Sequence, residues 1–433
     1  MQQQLTVFRA SASRRRRITR NSTTGREKMT KQTIGLGALA MLLGGTPALA
    51  ADNAELEKRI ELLIEQNQQL ADRVQKLEGM LETKLSNQAA PAGQTAPVDS
   101  DTTLMQAIND HVELSGLVEI EAFKSKDYND DDSSDINLAT VEIGLDAKIS
   151  DWTMAHLLLL YEEGEEDDHL LVDEGTITIG NAEKFPLYLT AGKMYLPFGF
   201  YESAMVSDPL TLELGEINDS ALQVGFTSSG FYGSVYGFNG DINETGKDDE
   251  VNSWGVNAGY AYEAEGFALD VGMDWINNIG DTDGIGDYLE DRDPTLVVPS
   301  EIDDYVDGLA LHAVFDLGQF RLIGEYVAAL DEFEPADIDF DNQGAEPEAM
   351  AFEVGYTTEL FSRETVFALG YQNTEEALAL GLPEDRYLAA VSIGIFDRTT
   401  LSFEYLIDED YDESEGGTGD DANTATIQLS VEF

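Results

Sequence analysis

Cysteine is absent from the 433 residues. That excludes a disulfide framework, thiolate zinc sites, iron–sulfur clusters and a cysteine nucleophile. It leaves the compartment open. Basic residues are scarce: Lys and Arg number 25 against 84 Asp and Glu, a formal net charge of −59. A phosphate backbone needs a basic face, so nucleic acid is excluded as a partner. The four histidines stand at 111, 156, 169 and 312. His156 has a lipid-facing reading in Met154-Ala155-His156-Leu157 but no serine two residues away, and His312 alternates inward. A Ser–His–Asp site is therefore not assembled, and the chain reads as no enzyme. The apolar run Ile34–Leu43 is too short to span a bilayer as a helix. What is present is 42% hydrophobic, too much for a disordered acidic chain.

Residues 1–50 stand apart. They hold nine Lys or Arg, among them Arg14, Arg15, Arg16 and Arg17, and one acid, Glu27. Lys31, the run Ile34–Leu43 and Ala48-Leu49-Ala50 then read as a signal peptide with an A-x-A cleavage site. Met29 is the expected start, with residues 1–28 an extended or mis-assigned N-terminus. Without these fifty residues the chain is more acidic still.

Residues 52–86 carry a heptad seam. Leu56, Ile60, Leu63, Asn67, Leu70, Val74, Leu77 and Leu81 alternate in steps of four and three. That spacing predicts a periplasmic coiled coil and hence a homo-oligomer. Residues 87–110 form a linker, with Pro91 and Pro97 inside it.

From residue 111 the period becomes two. Val112, Leu114, Val118, Ile120 and Ala122 lie on one face, with Glu113, Ser115, Glu119 and Glu121 on the other. Val141, Ile143 and Leu145 alternate with Glu142 and Asp146. Leu269, Val271, Met273 and Trp275 alternate with Asp270, Gly272 and Asp274. The pattern recurs to Ile427, Leu429, Val431 and Phe433, and segments of this kind mark transmembrane β-barrels. Connections alternate between short and long. The long ones (126–135, 162–168, 196–217, 241–250, 277–304, 331–348, 374–384 and 408–421) carry most of the acid. The short ones hold Lys184, Arg363 and Arg398. Eight long and seven short connections predict an all-β membrane fold. It is a 16-stranded antiparallel transmembrane β-barrel over 111–433, preceded by a short α-helical coiled coil. An even strand count puts both ends in the periplasm and the long loops outside. Phe433 closes the last strand as the insertion machinery requires. The location is the outer membrane of a Gram-negative bacterium, with membrane lipid as a partner.

A barrel of this size encloses water rather than a packed core. The alternation places Glu113, Glu119, Glu121, Glu142, Asp146, Asp270, Asp274, Glu325, Glu353, Glu404 and Glu432 on the lumen wall, against Lys148 and Arg321. Such a wall favours cations. No plug domain is legible before residue 111, so transport is expected to be passive.

Three segments stand out: Gly192-Lys193-Met194-Tyr195-Leu196-Pro197-Phe198-Gly199, Asp208-Pro209-Leu210-Thr211-Leu212-Glu213-Leu214-Gly215-Glu216, and Phe238-Asn239-Gly240-Asp241. In this order they resemble the LbtU-type siderophore porins, and the resemblance spans residues 52–433. It implies a sixteen-stranded porin that admits ferric siderophore, assembled as a trimer as porins tend to be. Asn67 at an a position with Leu at d argues instead for two strands.

Loop 196–217 is expected to fold inward and constrict the lumen. Lys193, Tyr195, Phe198, Tyr201, Glu202, Asp208, Glu213, Glu216, Asn239 and Asp241 are the residues expected at the constriction and ligand path. The aromatics, with Phe200, would offer flat faces to a planar chelate. The competing reading makes Phe198, Leu210, Leu212 and Leu214 anchors to the wall. Lys193 shares a face with Leu187, Leu189 and Ala191, so it snorkels at the bilayer boundary unless a bulge turns it inward. Asp281-Thr282-Asp283-Gly284-Ile285-Gly286-Asp287 has a calcium-loop composition but lacks the bidentate Glu. No metal or cofactor is expected. General cation-selective diffusion, or a structural or adhesive barrel, are the alternative functions.

Overall fold

The computed structural model describes residues 111–163, 169–246, 251–291 and 301–433. The expected signal peptide, coiled coil and linker fall on residues 1–110, outside the described residues.

The described chain forms a closed barrel of sixteen strands. The first eight are β1 (Val112–Lys126), β2 (Asp132–Lys148), β3 (Thr153–Tyr161), β4 (Leu171–Asn181), β5 (Phe185–Tyr195), β6 (Asn218–Ser228), β7 (Phe231–Phe238) and β8 (Ser253–Ala264). The rest are β9 (Phe267–Ile276), β10 (Gly308–Leu317), β11 (Phe320–Ala329), β12 (Glu348–Leu360), β13 (Arg363–Glu375), β14 (Asp385–Phe396), β15 (Thr399–Glu409) and β16 (Asp421–Glu432). Each pairs antiparallel with its neighbour in sequence, and β1 pairs with β16. The expected strand count and the long–short alternation of connections both hold.

The seam between β1 and β16 shows why closure works. Gly116 and Phe433 exchange two backbone hydrogen bonds of 3.0 Å. The Phe433 ring lies over Gly116, where a β-carbon would come 2.3 Å from its Cζ. Glycine leaves room for the ring, and any side chain there would have to displace it.

Outward positions carry large apolar side chains open to the surroundings, among them Leu114, Ile143, Ile177, Leu222, Met273 and Leu369. In lipid every backbone group must be satisfied internally, which a closed barrel achieves. Trp152, Phe185, Phe231, Phe320 and Phe396 are exposed beside the short turns. They form the aromatic girdle of one membrane interface.

The interior departs from the expected open lumen. Met194, Phe238, Ile276, Ala310, Val327 and Ala349 point inward from β5, β7 and β9–β12. Loop residues Phe198, Leu210, Leu214, Ile242, Ile279, Ile285, Leu289 and Phe333 cover them in one apolar cluster. Each full burial of such a side chain is worth about 1.5–3 kcal/mol. The long loops that the alternation places outside thus fold back onto the inner wall.

Two short helices fix this packing: α1 (Leu210–Gly215) and α2 (Asp283–Asp291). The segment with calcium-loop composition therefore turns into helix from Asp283. Asp283 lies in its first turn, where negative charge suits the helix dipole. Gly284 lets the two helices meet: a β-carbon there would sit 1.9 Å from the Glu213 carbonyl oxygen.

Candidate functional site

Between Leu196 and Pro209 the chain is neither helix nor strand. Pro197 and Pro209 interrupt any ladder, and Gly199 takes a φ of 86°. Such a segment has backbone N–H groups with no regular partner, and burial makes each one costly unless bonded. The barrel wall supplies the acceptors. Gly199 N donates to Asp274 Oδ2 on β9 at 3.0 Å. Phe200 N donates to Glu325 Oε1 on β11 at 2.6 Å, and Tyr201 N to Oε2 at 3.2 Å. Ser203 Oγ and Ala204 N donate to Glu353 on β12 at 2.6 and 3.0 Å. Val206 N and Ser207 N donate to Glu404 on β15. Leu210 N donates to Gln372 Oε1 on β13 at 2.9 Å.

Loop 196–217 is therefore a strap. It leaves β5, crosses the interior to the β13–β15 wall, and returns through α1 to β6. At its far end Arg386 on β14 is buried. Its Nε and Nη2 reach both Asp408 oxygens at 2.7 and 3.0 Å, and Nη1 reaches the Asp208 carbonyl at 3.5 Å. Nearer β5, the Phe200 ring stacks on His312 with centroids 4.6 Å apart. His312 lies flat over Gly272, whose β-carbon would come 2.2 Å from Cε1. Its Nε2 is 3.2 Å from Tyr232 Oη, which donates to Asp270 Oδ1 at 2.7 Å.

The inward fold of the loop agrees with expectation, but most residues assigned to the constriction are used otherwise. Phe198 is fully buried in the apolar cluster, as are Leu210 and Leu214. They anchor the strap and present no face to a solute. Tyr201 is packed on Gly199 and Gly215, and its backbone is left-handed at φ 57°. Tyr195 instead bonds Asp173 at 3.0 Å at the end of β4. Lys193 stays on the outward face beside Ser220, its Nζ 3.4 Å from the Val172 carbonyl. The lumen therefore does not receive it. Asp208 and Glu216 are buried and Glu213 is half-buried. Only Glu202 among the four carboxylates is appreciably open, and it pairs with Arg321. Burial raises the Glu202 carboxyl above its ordinary range, against the opposing pull of Arg321.

Asn239 and Asp241 are exposed in a loop clamped from below: Gly240 N donates to Asp219 at 2.9 Å and Ile242 N to Asp281 at 3.0 Å. The three segments that carry the family resemblance thus meet through Phe198, Leu210, Leu214, Phe238 and Ile242 in one cluster. Their apolar residues serve packing.

Wall residues fall on the inward face as the alternation requires. Glu119, Glu121 and Glu142 are buried there, and Gln428 donates to Glu121 at 2.8 Å. Glu113 is exposed near the first turn. Asp146 meets His156 Nδ1 at 2.8 Å, so His156 faces inward and not toward lipid. Asp274 and Glu325 are strap anchors rather than free lumen charges. The same role for Glu353 and Glu404, and the parts played by Gln372, Arg386 and His312, were not legible beforehand. One signal existed: Glu325 sits between inward Ile323 and Val327, an apolar setting where a lone carboxylate demands a donor.

No family model matches the chain. A UPF0422 protein of Coxiella burnetii is 28% identical over 323 residues, covering 73% of this chain and 68% of that protein. The UPF0422 protein lpg2959 of Legionella pneumophila is 31% identical over 358 residues, covering 74% and 66%. Among solved structures, the anion-selective porin from Comamonas acidovorans superposes with a TM-score of 0.52 at 12% identity, covering 74% of this chain and 99% of that one. Salmonella typhi OmpF in complex with daunomycin gives 0.51 at 14%, covering 75% and 99%. The outer membrane channel DcaP of Acinetobacter baumannii gives 0.50 at 14%, covering 74% and 97%. This chain is an outer-membrane β-barrel with the sixteen-stranded fold of the porins. The apolar outer wall, the sixteen-strand closure and the relatives in Gram-negative bacteria agree on that location.

Proposed function

We propose that the barrel is a passive channel for small solutes, with cations favoured, and that the strap sets its width. The observation that carries this reading is the strap itself. It is a polar-backbone segment fixed inside the barrel by wall carboxylates, leaving Glu202 and Ser203 accessible on it. A packed structural barrel has no use for such a segment with a charged edge. Acidic inward positions on β1 and β2 support the preference for cations. Reconstitution into planar bilayers tests it: discrete conductance steps and a cation-selective reversal potential are expected. A folded, inserted protein without conductance would contradict it.

Ferric siderophore uptake is the finer reading, and the resemblance of the strap segments to siderophore porins supports it. Uptake of iron-loaded against iron-free siderophore, in cells with and without this protein under iron limitation, separates the two. Equal uptake in both strains favours general diffusion. A trimer is the expected assembly. Comparing the mass of the full chain in detergent with that of a chain starting at residue 104 tests whether the heptads drive it.

A further inference from the structure

The inner wall is acidic on β1 and β2, through Glu119, Glu121 and Glu142, and again on β9, β11 and β12, through Asp274, Glu325 and Glu353. Between these regions, on β5 to β8, its character changes. From the apolar cluster toward the short turns the inward positions include Tyr188, Gln223, Tyr232, Ser234 and Asn257, all uncharged and all buried or half-buried. In a chain of net charge −59, this stretch of wall is set apart.

Ser234 is its hub. The Ser234 hydroxyl accepts from Gln223 Nε2 at 2.9 Å, bonds the Tyr188 hydroxyl, and donates to Asn257 Oδ1. A hydroxyl has one proton and two lone pairs, so its capacity is used and both amides are fixed in orientation. What remains is polarised: the Gln223 carbonyl, an acceptor, at one end and the Asn257 NH2, a double donor, at the other. Neither group bonds another described residue. Two tyrosine rings frame this chain. A β-carbon on Gly225 would come 2.2 Å from Tyr188 Cζ, and one on Gly259 would come 2.1 Å from Tyr232 Cζ. The rings fill the places of missing side chains and lie along the wall, one face on backbone and the other toward the interior. Tyr232 is held there by its bond to Asp270 Oδ1 at 2.7 Å.

Flat rings and neutral amides give little to an ion, which loses more in water than it gains from them. They suit a molecule whose polar groups each donate and accept, and whose remaining surface is C–H. We propose that this patch binds an uncharged polyhydroxylated solute, a sugar, with its C–H face on Tyr188 and its hydroxyls on Gln223 Oε1 and Asn257 Nδ2. β6 and β8 are two strand spacings apart, roughly 10 Å, so a sugar of two or three rings bridges the two ends. Asn257 lies opposite Asp274, which holds Gly199 of the strap. A bound sugar therefore occupies the passage beside the strap. This inference rests on the channel reading and adds a neutral substrate class to it.

Raffinose block of single-channel current is the test, in about 1 M KCl, where the Debye length is about 3 Å and distant charges are screened. Putrescine, a cation without hydroxyls, is the control. Raffinose is expected to block the wild type. Tyr188→Leu and Asn257→Leu should each raise its half-blocking concentration about fivefold, the change for losing roughly 1 kcal/mol. Tyr188→Phe keeps the ring face and should stay within about twofold of the wild type. Ser392→Ala removes a neutral inner-wall hydroxyl that pairs with Ser402 at 2.8 Å on the opposite side of the barrel, and it should change neither block. Heat-modifiable migration on gels confirms folding of each variant. No raffinose block in the wild type, or equal block in the wild type and both leucine variants, overturns the inference and leaves the channel reading standing. A parallel change in putrescine block does the same, because the effect is then one of pore shape. Folded wild-type protein without conductance overturns the channel reading itself.

Discussion

The barrel wall and the strap inside it meet the same requirement by opposite means. Both hold backbone polar groups away from water. In the wall each strand satisfies its neighbour, so side chains are free to alternate between lipid and lumen. In the strap no neighbour exists, and the backbone N–H groups of Gly199, Phe200, Ala204, Ser207 and Leu210 go to side chains of the wall. A ladder is indifferent to most substitutions along it. A side-chain rail concentrates the same work in a few carboxylates, and each becomes hard to replace.

That contrast is broken most severely at Glu404. Replacing it by Ala strands the Val206 and Ser207 amides and the Ser207 hydroxyl. An unsatisfied buried donor costs about 1–3 kcal/mol. Glu404→Ala should therefore lower urea stability by several kcal/mol and open residues 200–209 to protease. Glu404→Gln keeps an acceptor and should cost less than half as much. Ala390 packs with Met205 in a small buried cluster but offers the strap no hydrogen-bond acceptor, and Ala390→Gly should cost only about 1 kcal/mol.

The wall also has a sensitive point at its seam. Gly116→Leu would collide with the Phe433 ring. It should reduce the yield of heat-modifiable barrel in a refolding assay while leaving strap protection unchanged in the fraction that folds.

A smaller effect is expected from pH at the loop clamp. Asp281 accepts from Ser253 Oγ and Ile242 N, yet burial raises its pKa from 3.8 to about 6. The folded state then holds a proton that the unfolded state has already lost. Between pH 3.8 and about 6 stability falls as pH rises, and it levels off above. Asp281→Asn should flatten this part of the stability–pH curve and stabilise the protein at pH 8. A curve that rises with pH over that window in the wild type, and loses that rise in the variant, would contradict the assignment.

The smallest effect separates inner from outer charge. Neutralising Asp130, Asp131 and Asp132, exposed at the β1–β2 loop, should barely move the reversal potential at 0.1 M salt, where screening acts beyond roughly 10 Å. Glu202→Gln should move it toward anions, because Arg321 is left uncompensated. Equal shifts would place both sets in the same solvated surface.

The barrel was legible because its rule is periodic. Alternation at Leu269–Trp275 or Ile427–Phe433 reports a face, and a face is all that closure needs. The alternation of acidic long loops and short turns gave the strand count by the same logic. The site was less legible because its contacts join residues far apart in sequence and depend on backbone, which has no letter of its own. Glu353 and Glu404 read as lumen charges, since nothing local shows that a strap amide will cap them. Phe198 and Tyr201 looked available because an aromatic in a loop has no period to mark it as buried. For Phe198, Leu210 and Leu214 the structure takes the anchoring one of the two readings their spacing allowed.

The strap's attachment to the far wall is the central claim, and a paired-cysteine experiment tests it directly. The chain has no cysteine of its own, so Met205→Cys with Leu388→Cys introduces the only two thiols while leaving the Glu404 anchor intact. The two positions share one buried apolar cluster, so a short bis-thiol reagent applied to membranes should join them, closing a loop between the strap and β14 and shifting migration on a denaturing gel. Asp130→Cys with Leu388→Cys should not be joined. If the thiol introduced by Met205→Cys is left unbridged, and reacts with bulky reagents as readily as the one introduced by Asp130→Cys, the strap does not cross the lumen and the account fails.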